Sequence, residues 1–245
     1  MLENIKELAF GIKTCHEDIR FYLAEFLENK YDHLRWGYWP VITNLKDFRL
    51  AQVNLFEEVK SYFPNGLQSI IDVGGGIGGT TDLLLKAGYK ALCVVPDKEL
   101  IKFGKIRFPG VDFLRGTAEC FKLKVKFDAA LLIESYQYFT DHRRAISNIT
   151  RNLASQSFMV FAEEFYVYSN NKLREGLLKD YLAQENYYPI ARNDISEKVL
   201  PTCDFLVNYF KGKNHKMTEF WMEKKKKLLS GDIRYLILVF QREKH

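Results

Sequence analysis

The segment 69–81, SIIDVGGGIGGTT, constrains the fold of this chain more than any other stretch. A short apolar run leads into a glycine-rich turn, and the apolar-periodic segment DLLLKAGY follows. This pattern is typical of a buried strand that enters a tight turn and then a helix. Glycines suit such a turn because they tolerate positive φ and let a ligand approach the backbone. The free N–H groups at the helix start can bind a polar or anionic group, so the segment predicts a nucleotide-like cofactor site.

The residues of the turn separate three cofactor classes. A phosphate-binding P-loop needs Lys and then Ser or Thr after its last glycine, and no lysine follows Gly79. A dinucleotide fingerprint G-x-G-x-x-G fits formally at Gly74, Gly76 and Gly79. Asp72 argues against it, because a carboxylate beside the pyrophosphate position would be repulsive. The same carboxylate suits a cofactor with an ammonium or sulfonium charge, and a glycine-rich loop without a ligand is the alternative.

Composition indicates a globular protein without a metal or disulfide framework. The chain has 245 residues, of which 47% are hydrophobic and 27% charged, with a formal net charge of +5. The four cysteines are scattered, with no C-x-x-C pair and no histidine at metal-ligand spacing. The beginning of the chain lacks a signal-peptide pattern, and no apolar run is long enough to span a membrane. These features predict a cytoplasmic protein with reduced thiols, no metal and no membrane partner.

Strand-like and helix-like segments alternate along the chain, which predicts an α/β fold with a seven-stranded, mainly parallel sheet and helices on both faces. Strands are predicted at 69–73, 90–95, 111–115, 127–133, 157–165, near 202–210 and at 233–240. Helices are predicted within 1–30 and at 45–63, 79–87, 97–107, 141–153 and 172–185, with a lysine-rich helix before the last strand. We expect one domain over 1–245: a helical cap (1–63), a cofactor-binding core (64–165) and a substrate wall with the last strands (166–245).

The acid-x-G-x-G-x-G turn resembles the first motif of class I S-adenosylmethionine-dependent methyltransferases. Three more segments resemble that family: GTAE at 116–119, FDAALLIES at 127–135 and the aromatic cluster YDHLRWGYW at 31–39. The aromatic cluster is similar to that of the subgroup acting on tocopherols, sterols, glycine derivatives and natural products. The resemblance covers about residues 28–165. It implies a Rossmann-like fold and S-adenosylmethionine as cofactor, with S-adenosylhomocysteine as product.

The resemblance also implies which residues meet the cofactor. The assigned residues are Tyr31, Trp36, Tyr38, Asp72, Gly74, Gly76, Gly78, Pro96, Asp97, Thr117, Ala118, Glu119, Ile133 and Ser135. Family members usually end the second strand with an acid that binds the ribose, but Val95 stands there. Asp97 either takes that role or serves as the N-cap of the following helix.

Methyl transfer is an in-line displacement, which an enzyme promotes largely by positioning the reactants. A base helps when the acceptor must lose a proton. We expect His33 and Glu134 as the candidate bases, with His142 as a further option. Tyr138, which stands where many relatives carry histidine, is the third residue assigned to catalysis, with His33 and Glu134. The aromatic residues of 165–221 predict a wall for a small apolar or aromatic acceptor.

Three functions compete at this point. The first is methyl transfer to the oxygen, nitrogen or carbon of a small metabolite, of natural-product type. The second is an RNA or protein methyltransferase, although the chain has ESYQYF where base-amine methylation typically uses N/D-P-P-Y/F. The third is a non-catalytic S-adenosylmethionine-binding protein, because a fold does not determine a function. The sequence does not define the oligomeric state, for which a homodimer is one option.

Overall fold

A computed structural model describes residues 32–33, 35–40, 47–168 and 173–243. The strands are β1 (Ser69–Val73), β2 (Lys90–Val95), β3 (Phe113–Arg115), β4 (Phe127–Ile133), β5 (Leu153–Tyr166), β6 (Tyr187–Asp194) and β7 (Ile233–Arg242). The helices are α1 (Phe48–Ser61), α2 (Gly79–Lys86), α3 (Lys98–Arg107), α4 (His142–Arg151), α5 (Glu175–Gln184), α6 (Ser196–Val199), α7 (Pro201–Phe210) and α8 (His215–Ser230). A short 3₁₀ turn, Tyr136–Tyr138, follows β4.

The strands form one seven-stranded sheet in the order β3-β2-β1-β4-β5-β7-β6. The pairs from β3 through β5 are parallel, and β7 runs antiparallel to both β5 and β6. Strand order reverses between β1 and β4, since β1 pairs with β2 on one edge and β4 on the other. In open α/β sheets the crevice beyond the carboxyl ends of such strands is where ligands bind.

The central strands are buried on both faces, which explains their nearly continuous apolar sequences. In β4, Ala129 and Leu131 pack on one side of the sheet, whereas Ala130 and Leu132 pack on the other. The first side is covered by α1 and by α6, α7 and α8. The second side is covered by α4 and α5. The sheet is therefore the middle of three layers.

Helix ends carry the expected capping residues. Asp97 accepts hydrogen bonds from the first-turn amides of α3, and Asp141 accepts one from Arg144 N in α4. Asn214 caps α8, which ends at Gly231 in the left-handed conformation, φ 79°. These residues determine where the helices begin and end.

The predicted fold class is confirmed, and β1, β2 and β4 have the predicted bounds. The predicted strand near 202–210 is wrong, because this segment forms α7. Its apolar residues repeat at helical spacing and pack against α1, and Pro201 opens the helix. The seventh strand of the sheet is instead β6, an edge strand beside β7 that was not predicted. The helices expected within 1–30 lie outside the described residues, and the division at residues 63 and 165 stays a prediction.

Helices long and apolar enough to cross a bilayer do not occur in the described part of the chain.

Candidate cofactor and active site

A cavity of about 680 Å³ lies beyond the carboxyl ends of β1, β2, β3 and β4, at the reversal of strand order. The turns after all four strands contribute to its wall. The predicted site residues that line it are His33, Asp72, Gly74, Gly76, Pro96, Asp97, Thr117, Ala118, Glu119, Ile133, Glu134, Ser135 and Tyr138. The fold thus brings most of the predicted residues to one site.

The glycine turn forms the floor of this cavity. Gly74 and Gly76 have φ of +80° and +58°, a region that side chains rarely adopt. A Cβ on Gly74 would meet Ser135 at 2.5 Å, and one on Gly75 would meet Asp72 at 2.4 Å. Gly76 differs, since nothing lies within 4 Å of its Cβ position. Gly76 therefore exposes its backbone to the open space of the cavity.

Gly78 was predicted to contact the cofactor, but it does not line the cavity. Its φ of +90° places it before α2, and a Cβ there would meet Phe113 at 2.6 Å. Gly78 is thus required by turn geometry and by packing against β3. Gly75 and Gly79 line the cavity instead.

Asp72 lies beneath the turn and is 2% exposed. Its Oδ2 accepts a hydrogen bond of 2.7 Å from Thr81 Oγ1, in the first turn of α2. Burial raises the pKa of Asp72 to about 6, while Thr81 and the charge of Arg35 oppose that rise. A cationic ligand group nearby would favour the ionised form.

Arg35 is a site residue that the sequence interpretation missed. It lines the cavity although it is only 4% exposed. Its guanidinium donates to the carbonyl of Gln52 and to Thr80 Oγ1, at 2.9 and 2.6 Å. Burial lowers its pKa to about 10, so it stays charged at neutral pH. A lone arginine among the aromatic residues of 31–39 was the available signal.

Glu134 ends β4 with the backbone in the left-handed region, φ 54°. Its Oε1 accepts hydrogen bonds from Trp36 N and Tyr235 Oη, both 2.8 Å long. Burial raises the pKa of Glu134 to about 8, and the two donors only partly oppose that effect. The carboxyl is therefore largely protonated at neutral pH. Through these two hydrogen bonds, Glu134 links the end of β4 to Trp36 and to β7 at the cavity wall.

Glu163 supports the loop after β4 and was also missed. Its Oε1 accepts hydrogen bonds from Ser135 N at 2.6 Å and Tyr136 N at 2.7 Å. The residue is 1% exposed, and burial raises its pKa well above the usual value. A carboxylate in an apolar strand was the signal, because buried acids in strands need hydrogen-bond donors.

His33 and Tyr138 occupy different parts of the wall. His33 is buried against Gly79 at the start of α2, and burial together with nearby cations lowers its pKa well below the usual value. Its imidazole is neutral and can accept a proton. Tyr138 is 56% exposed and stands at the rim. His142 lies in the core against Tyr136, with ring centroids 4.4 Å apart, and does not line the cavity.

The side of the cavity formed by β2 and β3 carries two carboxylates. Asp97 Oδ1 accepts hydrogen bonds from Glu99 N at 2.7 Å and Leu100 N at 3.3 Å, so Asp97 is an N-cap that also faces the cavity. Glu119 Oε1 accepts from Thr140 N at 2.8 Å. Both side chains are held in place by these backbone donors.

Two aromatic predictions are corrected. Trp36 is 4% exposed and packs against Trp221 and Tyr235, with ring centroids 5.2 and 5.8 Å apart. Tyr38 packs beside α1, where Glu58 accepts a hydrogen bond from its hydroxyl. Neither residue lines the cavity, because their rings fill the core beneath the sheet. Tyr31 lies outside the described residues.

The predicted acceptor wall from the last third of the chain is also corrected. No described aromatic residue of 165–221 lines the cavity. Phe205 stacks on Phe48 of α1 at 4.3 Å between ring centroids, and Trp221 packs on Trp36. Their aromatic surface is used to attach α7 and α8 to the sheet. Within the described ranges, no cluster of His, Cys, Asp and Glu could hold a metal ion.

Comparisons with known proteins agree with this architecture. Residues 71–161 match a family model described as a methyltransferase domain. The structure is similar to that of the [4+2]-cyclase SpnF (TM-score 0.77, 16% identity, 93% of this chain and 95% of that chain). It is also similar to geranyl diphosphate C-methyltransferase from Streptomyces coelicolor A3(2), solved with Mg²⁺, geranyl diphosphate and S-adenosylhomocysteine (TM-score 0.74, 13% identity, 99% and 97%).

A curated relative is the ribosomal RNA small subunit methyltransferase A of Mycoplasma mobile, 29% identical over 91 residues. The match covers 37% of this chain and 36% of the relative's length.

The fold and the glycine-turn site define a class I methyltransferase domain, a class whose cofactor is S-adenosylmethionine. The match to the methyltransferase domain family covers residues 71–161, less than half of this chain. The predicted recognition, enzyme class and cofactor are confirmed at this level.

Proposed function

We propose that this protein transfers a methyl group from S-adenosylmethionine to a small molecule. The observation that carries the proposal is the cavity at the strand-order reversal, into which the bare backbone of Gly76 faces. Its volume of about 680 Å³ falls in the range of small-molecule sites, roughly 300–1,000 Å³. The cofactor, when bound, supplies an electrophilic methyl group on a sulfonium.

The residues of the wall fit the chemical groups of this cofactor. Arg35 offers a buried, permanently charged donor for a carboxylate, and Asp72 offers an acceptor for a cation. Asp97 lines the side formed by β2, where a ribose with two hydroxyl groups would need an acceptor. Glu119 and Ala118 line the side formed by β3. We assign the methionine end to the first pair and the nucleoside end to the others.

Two side chains of the wall can handle an acceptor's proton. His33 is neutral, because burial and nearby cations lower its pKa, and it can act as a base. Glu134 is largely protonated at neutral pH, so it serves as a hydrogen-bond donor towards the cavity. We assign proton acceptance to His33 and positioning of the acceptor to Glu134 and Tyr138.

Methylation of RNA is the second candidate, favoured by the partial match to a ribosomal RNA methyltransferase. The proposed small-molecule acceptor is instead supported by similarity over nearly the whole chain to geranyl diphosphate methyltransferase. Incubation with methyl-labelled S-adenosylmethionine and either a panel of small aromatic and apolar acceptors or total RNA separates the two candidates. Label in RNA alone would contradict the proposal.

Cofactor binding is tested with a matched pair of glycine variants. Gly76 and Gly88 both have positive φ and open space at the Cβ position, but only Gly76 lines the cavity. Valine at either position strains the backbone by about 1–2 kcal/mol. Titration calorimetry with S-adenosylhomocysteine should show binding by Gly88→Val and none by Gly76→Val. Equal affinity in both variants would refute the assignment of the cavity.

A further inference from the structure

A second depression of about 530 Å³ lies beside the cofactor cavity, between the β3–β4 connection and helices α4 and α5. We call it the basic groove. It is lined by four cationic side chains, Lys122, Arg143, Arg144 and Arg151. The two sites share Glu119 as a wall residue, while Thr140 faces the cavity and Asp141 faces the groove. Apart from Glu119, no residue of this groove has a role in the proposed methyl transfer.

The four cations of the basic groove are exposed, and none of them forms an ion pair with a carboxylate of the described residues. Elsewhere on the surface, cations such as Arg192 and Lys225 pair with Glu175 and Asp204. The guanidinium of Arg151 donates only to Ser147 Oγ, at 3.3 Å. Four positive charges therefore lie on one concave surface, which also carries three carboxylates.

Two of the three carboxylates of the groove, Glu119 and Asp141, already accept hydrogen bonds from backbone N–H groups. Glu119 Oε1 accepts backbone hydrogen bonds from Thr140 and Asp141, and the carboxylate of Asp141 caps α4 through Arg144 N. Backbone donors of this kind fix the position of the carboxylates and stabilise their charged form. Glu185 is the third carboxylate of the groove. Because the four cations lie within one depression of about 530 Å³, the ligand that fits them is a compact anion and not a long polyanion.

We propose that the basic groove binds the phosphate groups of a compact phosphorylated small molecule with two or three linked phosphates. Arginine forks match phosphate oxygens in a bidentate manner, and three arginines line this one depression. The volume of the groove suits a ligand of this size. The proposal concerns anion binding alone and is independent of the methyl transfer proposed above.

Inorganic tripolyphosphate is the probe, titrated into the full chain by calorimetry without any cofactor at about 50 mM salt, where surface charges are weakly screened. The groove variant carries Arg143→Glu and Arg151→Glu. The control carries the same charge change at Lys105→Glu and Lys226→Glu, two exposed lysines outside the groove. We expect the groove variant to bind at least about tenfold more weakly than the wild type, and the control to stay within about twofold.

Absence of binding to the wild-type protein, or equal losses in the groove and control variants, would overturn the proposal. A single-stranded RNA oligonucleotide is titrated in parallel. If the RNA binds through the groove and tripolyphosphate does not, the ligand is a polyanion and the compact-ligand proposal is wrong. The single variant Arg143→Gln, checked for its thermal unfolding, should weaken tripolyphosphate binding about threefold, so the test does not depend on one variant's folding.

Discussion

Glu134 gives this protein a pH dependence of stability, because its pKa differs between the folded and the unfolded state. Its pKa rises from 4.5 to about 8 in the folded state. The folded state therefore keeps a proton on Glu134 that the unfolded chain loses between these two values. The stabilisation is fully present below pH 4.5 and is lost as pH rises through about 8.

The size of this stabilisation follows from the difference between the two pKa values, 4.5 and about 8. At about 1.4 kcal/mol for each tenfold change in proton affinity, the upper bound is about 5 kcal/mol. Glu134 is only partly buried in the cavity wall, and solvent there reduces the effect to a few kcal/mol.

Glu134→Gln isolates this contribution. The amide is neutral at every pH, and its oxygen can still accept the hydrogen bonds from Trp36 N and Tyr235 Oη. We expect the variant to lie within about 1 kcal/mol of the wild type at pH 5, because the acceptor is kept. Between pH 5 and 8 the wild type should lose more stability than the variant, since the variant carries no titrating group at position 134.

Urea unfolding at pH 5, 6.5 and 8, followed by circular dichroism, measures the difference. Glu134→Ala is the matched comparison, because it leaves both donors without their acceptor at a cost of about 2–5 kcal/mol at all three pH values. The reasoning is refuted if the wild type and Glu134→Gln have parallel pH dependences, or if Gln costs as much as Ala.

Three further variants test the site and its support. Glu163→Leu removes the acceptor of Ser135 N and Tyr136 N and should cost about 2–5 kcal/mol in urea unfolding, whereas Glu163→Gln should cost far less; equal losses would contradict the role of the acceptor. Asp97→Ala should destabilise the protein by about 1 kcal/mol through loss of the N-cap and weaken cofactor binding in calorimetry, while Asp97→Asn keeps the cap; unchanged affinity in both would remove Asp97 from the cofactor site. Trp36→Ala should cost about 3–5 kcal/mol of stability as a core truncation, and weaker cofactor binding at unchanged stability would show that the ring contacts the cofactor after all.

The sheet was largely predictable because the central strands have clear signals in their own local sequences. The apolar runs of β1, β2 and β4 are bounded by turn residues, so both existence and bounds followed from the sequence. Two predictions failed, the missed edge strand β6 and the strand expected near 202–210, and each failure has a physical cause. Most residues of β6 are exposed and the strand carries Pro189, and an edge strand of that composition lacks the apolar alternation of a core strand. The segment of α7 is apolar enough to resemble a strand, but helical spacing and Pro201 decide otherwise.

The site divides in the same way. Residues that follow the strands of the sheet, such as Asp72, Asp97 and Glu119, were predictable because parallel strands end at one edge. Arg35 and Glu163 were not, since their roles come from tertiary contacts over long sequence separations. The aromatic residues were assigned to the cavity because their composition suits a ligand. Only packing distinguishes a ring in the core, such as Trp36, from one in a pocket wall.

The attachment of residues 35–39 to the last third of the chain has a consequence for how the pocket is made. Thr202 Oγ1 in α7 accepts hydrogen bonds from Gly37 N and Trp39 Nε1, at 3.0 and 2.9 Å, and Trp36 packs on α8. The segment that carries Arg35 into the cavity is therefore held by helices made more than 160 residues later. On the ribosome, the glycine turn and the four strands that border the cavity emerge long before these contacts can form. A nascent chain that ends after β5 would present an open, incomplete pocket, so full cofactor affinity should appear only after α7 and α8 have been made.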